Sequence, residues 1–140
     1  MQINLIKGGT HQDHRGILKF FNDFDMTRIR RFYIVEHVDV TTVRAWQGHQ
    51  KEQKWFYVTE GSFKIVLVSP DDWRQPSENL AYEEIVLDSK NNEILHIPAG
   101  FANGFQALEE PSKLTVYSDV TLEESLNDNF RFSESLWYKW

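Results

Sequence analysis

Apolar positions along this chain recur in short runs rather than at helical spacing. Residues 2–6 (QINLI) alternate apolar with polar, and 17–21 (ILKFF) form an apolar run after the turn Asp13-His14-Arg15-Gly16. Residues 31–38 (RFYIVEHV) are rich in β-branched and aromatic side chains, which fit a pleated, half-buried surface. The same reading predicts strands over 42–46, 54–59, 62–68, 80–87, 93–97, 103–108 and 113–120. Turn residues punctuate them at Glu60-Gly61, Pro70-Asp71-Asp72, Asp88 to Asn92, Pro98 to Gly100 and Glu110-Pro111. Many short strands at near-regular spacing predict an all-β sandwich or barrel. Segments 22–30 and 121–129 are expected to form at most short helical turns. No repeat, low-complexity tract or linker interrupts the pattern, so one domain spanning 1–140 is expected.

Composition narrows the chemistry. With 140 residues, 41% of them hydrophobic, and 10 Phe, 5 Trp and 5 Tyr, the chain can bury a core without staples. It has no cysteine, which excludes disulfides, a zinc–cysteine site and a cysteine nucleophile, and fits a reducing compartment. A net charge of −6 argues against general nucleic-acid binding, although a local basic patch could hold a small anion. No apolar run approaches the roughly 18 residues of a membrane span. The first residues, MQINLIK, lack a secretory signal's apolar stretch, so the cytoplasm is the expected location.

Two segments carry candidate chemistry: Arg44-Ala45-Trp46-Gln47-Gly48-His49 through Lys54 to Gly61, and Ile97-Pro98-Ala99-Gly100-Phe101-Ala102-Asn103-Gly104-Phe105. Their order and spacing resemble the two motifs of the cupin superfamily, a small jelly-roll barrel. In that register Gln47 and His49 take the His-x-His positions, Lys54 the acidic position and Asn103 the final His. Three of the four ligand positions therefore hold Gln47, Lys54 and Asn103. A lysine ammonium has no lone pair and repels a divalent cation, so no metal is expected.

With Asp13-x-Arg15-Gly16 and the Pro-x-Gly-Phe-Ala-x-Gly-Phe string, the chain from about Asp13 to Tyr117 resembles the dTDP-4-dehydrorhamnose 3,5-epimerases. It also resembles the related dTDP-sugar 3,4-ketoisomerases and WxcM-like proteins. It departs from them at Gln47, where the epimerases place a base histidine, at Asn103, and in lacking a further tyrosine after Tyr117. The resemblance implies a homodimer. It also implies proton transfer beside the ketone of a nucleotide-linked 4-keto-6-deoxyhexose, by epimerisation or ketoisomerisation, in deoxysugar or surface-polysaccharide biosynthesis. Such a reaction needs no cofactor, because the ketone itself activates the neighbouring C–H bond.

On this reading His49 is the candidate base, since imidazole titrates near neutrality. Lys54 is the candidate enolate stabiliser, and Tyr117 the candidate acid. Arg15 and Arg44 are expected to clasp the diphosphate through their guanidinium forks. Gln47 and Asn103 are expected to orient sugar hydroxyls, and Trp46 to stack on a base or sugar. His37 is expected to fill structure. The aromatic tail Leu136-Trp137-Tyr138-Lys139-Trp140 is expected to cover the barrel or a dimer partner. The alternative is a non-catalytic cupin that kept a nucleotide-sugar pocket and lost its base. A third class, a module binding other enzymes of polysaccharide synthesis, has no feature for or against it.

Overall fold

Period-two alternation is visible strand by strand in the computed structural model, which describes residues 2–140; Met1, the first residue of the expected 1–140 domain, lies outside them. Along β4 (Arg31–His37), residues 31, 33, 35 and 37 are the more buried and 32, 34 and 36 are exposed. The remaining elements are β1 (Asn4–Lys7), β2 (Gly9–Asp13), β3 (Gly16–Phe20), β5 (Val43–His49), β6 (Lys54–Glu60), β7 (Ser62–Val68), β8 (Tyr82–Asp88), β9 (Glu93–Ile97), β10 (Phe101–Ala107), β11 (Ser112–Ser118), the short helix α1 (Leu122–Leu126) and β12 (Phe130–Arg131).

The strands form two antiparallel five-stranded sheets, in the orders β1-β9-β6-β11-β4 and β12-β5-β10-β7-β8, with β2-β3 as a separate hairpin. From β5 to β7, and again from β9 to β11, the chain crosses between the sheets at every step, which gives the expected cupin jelly roll. Their facing sides enclose the main core, where Phe56, Val58, Phe63, Ile65, Leu67, Leu87, Leu95, Leu114 and Val116 are buried. A glycine is required at position 61, in the β6–β7 turn, where φ is +71° and an added Cβ would lie 2.8 Å from the Pro111 carbonyl oxygen.

The outer face of the second sheet carries a satellite core of Trp46, Val66, Val68 and Ala102, which the C-terminal segment covers with Trp137, Tyr138 and Trp140. The aromatic tail thus covers its own barrel. Segment 121–129 supplies α1, begun by a reciprocal capping box between Thr121 and Glu124. Segment 22–30 forms no helix; the Asp25 carboxylate instead accepts the Thr27 backbone N–H (3.0 Å) and hydroxyl (2.7 Å). Strands β2 and β12 were not expected: Gly9–Asp13 lacks apolar alternation, and Phe130–Arg131 is two residues long and pairs with Gly48 and Gln47 while Phe130 packs on Trp73. Among the described residues no helix is long and apolar enough to cross a membrane.

Candidate active site

Parity on the central strands decides which side chains enter the barrel. Pairing puts Arg31 opposite Ser118, Ser118 opposite Lys54, and Tyr33 opposite Val116, so Arg31, Tyr33 and Lys54 share the inward face of the first sheet. Gln47 and Asn103 face each other on the second sheet. These residues open into a cavity of about 460 Å³, bordered also by Arg44, Arg131 and the exposed Leu122 and Leu126 of α1.

Lys54 is the most enclosed ionisable group on the cavity wall, at 3% exposure. Its Nζ donates to Tyr33 Oη (3.1 Å) and to Gln47 Oε1 (2.9 Å). Burial pushes its amine down to about 8; Arg31 and Arg131 act in the same direction and Glu52 opposes them. Burial pushes the Tyr33 phenol up to about 12. Gln47 is fixed at both ends of its amide, since Nε2 donates to Asn129 Oδ1 (3.1 Å). The Asn103 side chain donates to the Gln47 backbone carbonyl (3.2 Å).

Behind this wall lies a buried hub around Glu52. Its carboxylate accepts from Arg31 Nη2 (3.1 Å), Ser118 Oγ (2.7 Å) and Ser125 Oγ (2.6 Å). The Ser125 bond pins α1 over the cavity mouth. Asp128 makes a second clamp: its carboxylate accepts the backbone N–H groups of Gln50, Lys51 and Glu52 at 2.8–2.9 Å.

The structure brings together Lys54, Gln47, Asn103 and Arg44 as expected, but it places the other candidates elsewhere. His49 shares the parity of Gln47, yet it is not among the cavity-lining residues. Its Nδ1 meets the Asp128 carbonyl at 2.6 Å and Glu52 Oε1 at 3.4 Å. A carbonyl only accepts, so Nδ1 carries the hydrogen and Nε2, buried and without a protein partner, carries the lone pair. Burial, then the neighbouring Lys54 charge, lowers the His49 pKa.

Tyr117 has the opposite parity to Val116. It sits on the outer face of the first sheet between Phe24 (5.5 Å) and Phe32 (5.9 Å), not in the cavity. Arg15 lies at the β2–β3 turn, where it forks onto the Asp13 carboxylate. Trp46 borders the cavity, but its ring belongs to the satellite core, 1% exposed against Trp137 and Trp140, and offers no stacking platform.

Sequence reasoning missed Arg31, Tyr33, Glu52 and Arg131, and gave the helical turn expected over 121–129 no part in the site. A signal for the first two was present, because they share parity with Val35 and His37 on β4. His37 is buried, as expected of a structural residue, and its Nε2 accepts from Arg44 Nε (3.1 Å), so it also orients that arginine. Among the described residues, no group of three or more His, Asp or Glu side chains converges as a metal site would require.

The jelly roll and its cationic, lysine-bearing cavity give the cupin architecture, and the match to a family model places the chain in the class of dTDP-sugar isomerases. The chain belongs to the dTDP-4-dehydrorhamnose 3,5-epimerase family, whose profile matches residues 2–134.

Solved structures agree on the fold. A dTDP-4-dehydrorhamnose 3,5-epimerase from Bacillus anthracis, with TDP and PPi bound, is 16% identical over 95% of this chain and 79% of that one, with a TM-score of 0.76. A double mutant of the 3,4-ketoisomerase QdtA from Thermoanaerobacterium thermosaccharolyticum, in complex with TDP, is 25% identical over 93% and 87%, with a TM-score of 0.72. The TDP-quinovose 3,4-ketoisomerase WlaRB from Campylobacter jejuni is 19% identical over 93% and 92%, with a TM-score of 0.70. No curated protein matches the chain in sequence.

Proposed function

We propose that this single-domain cupin works in the cytoplasm on a dTDP-linked 4-keto-6-deoxyhexose, moving a proton on the carbon beside the ketone to give an epimer or a ketoisomer. One observation carries the reading. In a chain of net charge −6, the cavity wall holds Arg31, Arg44, Lys54 and Arg131 and no carboxylate. Such a wall suits a diphosphate at its rim and a developing enolate oxygen at its centre. Arg44 and Arg131 take the diphosphate; Gln47 and Asn103 line the sugar end. The alternative of a pocket without chemistry is not favoured, because the family is one of isomerases and a titratable amine remains in the wall.

The protein is proposed to work as a homodimer. The outer face of the first sheet exposes Phe32 and Ile34 at 63% and 58%, and the hairpin exposes Ile17 and Leu18 at 59% and 62%. Apolar surface of this extent is a usual mark of an interface. Ile34→Lys is expected to shift the sedimenting species to monomer; a wild-type protein that sediments as a monomer overturns the dimer.

The catalytic reading is tested by incubating the protein with dTDP-4-keto-6-deoxyglucose in deuterated water and following the sugar by proton NMR. Loss of a signal from a carbon beside the ketone, with a new isomer, is expected. An unchanged sugar overturns the reading.

A further inference from the structure

We propose that Lys54 is the base of this reaction, its neutral amine removing the proton from the carbon beside the ketone. The proposal rests on the reading above and assigns the one role left without an occupant. The position of the family's base histidine holds Gln47, whose amide cannot accept a proton at neutral pH. His49 is buried behind the wall, and Tyr117 lies outside the barrel. Among the cavity-lining residues the titratable groups are Arg31, Tyr33, Arg44, Lys54 and Arg131, with no carboxylate or imidazole. The arginines stay charged and the Tyr33 phenol is pushed away from neutrality, so Lys54 alone can exchange a proton near working pH.

The hydrogen bonds fit an amine in its neutral form. A neutral –NH2 has two hydrogens and one lone pair. Both hydrogens have acceptors in the wall, Gln47 Oε1 at 2.9 Å and Tyr33 Oη at 3.1 Å. The remaining tetrahedral direction takes the lone pair of the neutral amine, or the third hydrogen of the ammonium once the proton has been taken up. Gln47 thereby acts as a positioning residue, its own amide locked by Asn129.

The charged and titratable groups around Lys54 come from every neighbouring element: Arg31 and Tyr33 of β4, His49 of β5, Glu52 of the β5–β6 turn and Arg131 of β12. Burial and the cations favour the neutral amine, and Glu52 limits the shift. In the step itself the C–H bond breaks and its electron pair forms the carbon–carbon double bond. The carbonyl π pair moves to oxygen, beside the arginines, and the amine becomes an ammonium. For a ketoisomer the ammonium returns the proton to the former carbonyl carbon while the neighbouring hydroxyl becomes the new carbonyl and its proton passes to the former enolate oxygen, so no co-reactant is consumed.

The test is the rate of deuterium exchange into dTDP-4-keto-6-deoxyglucose catalysed by this protein across about pH 6 to 10. The expected profile rises with pH and levels off above about 8. Lys54→Gln is expected to lower exchange by at least about 100-fold while TDP still binds by calorimetry, and Lys54→Arg is expected not to rescue it. His49→Asn is expected to keep the same rising limb.

A rate that falls above about 8 would show the ammonium to be the active form and overturn the proposal. A rising limb well below neutrality that disappears in His49→Asn also overturns it, as does exchange that survives Lys54→Gln. The wild-type profile decides even where the glutamine variant fails to fold. A wild-type protein that binds TDP but exchanges nothing at any pH removes the parent reading, and with it this one, whereas active wild type with active Lys54→Gln removes this one alone.

Discussion

The two ends of the barrel are built on the same strands and have opposite chemistry. Inward positions of β4 run from Arg31 and Tyr33 to Val35, those of β6 from Lys54 to Phe56 and Val58, and those of β11 from Ser118 to Val116 and Leu114. At one end the side chains interlock as a dry core with Phe63, Ile65 and Leu87. At the other, buried polar groups are bonded to one another through Glu52, Gln47 and Asp128, while Arg31 Nε and His49 Nε2 are left without a protein partner. Alternation alone delivers both ends, and what differs is the distance along the strand. The apolar end supplies area removed from water, worth roughly 25 cal/mol per Å². The polar end gives up some of that stability to hold charges at fixed positions, as functional sites commonly do.

Substitutions at the two ends should therefore separate stability from turnover. Phe63→Ala, at a fully buried position, is expected to cost about 3–5 kcal/mol by chemical denaturation while turnover per folded molecule stays near wild type. Glu52→Gln keeps one accepting oxygen for the two serine hydroxyls and leaves Arg31 without its counter-charge, and is expected to cost on the order of 3 kcal/mol. Because Glu52 raises the Lys54 pKa, the same variant is also expected to move the rising limb of exchange to lower pH.

A smaller effect is expected from His37, whose pKa is lowered by burial and then by Arg44. Its folded-state value lies below the ordinary 6.5, so the unfolded chain takes the proton first as pH falls. Its contribution is complete above about 6.5 and declines as pH drops through that value toward the lower, folded one. Thermal denaturation at stepped pH should show a flatter acid limb in His37→Phe. The smallest effect is expected for Tyr117→Phe, which should leave exchange within about twofold and stability within about 0.5 kcal/mol; a large loss of exchange would return Tyr117 to the site.

Much of this division was readable from residue order. The β-rich class follows from the strand pattern, and the meeting of Arg44, Gln47, Lys54 and Asn103 from the motif register that the resemblance implies. Parity also contained two corrections: Trp46 alternates with inward Gln47, and Tyr117 with inward Val116. The placement of His49 was not legible. Parity gives its face of the strand, but its burial against the Asp128 carbonyl is a contact made 79 residues away in the chain. The Glu52 hub was hidden for a related reason, since its serine partners lie 66 and 73 residues away in the chain. Such contacts exist only once the last third of the chain has folded back.

That returning segment also gives the molecule a built-in optical reporter. Trp46 lies 5.3 Å from Trp137 and 5.6 Å from Trp140 between ring centroids, close enough for excitonic coupling and a far-ultraviolet dichroic couplet. Trp55, on the opposite sheet, stacks on His96 at 4.8 Å, where protonation of the imidazole would quench its emission. Detachment of the tail and acidification of the other sheet thus have separate spectroscopic signatures, measurable without adding a label.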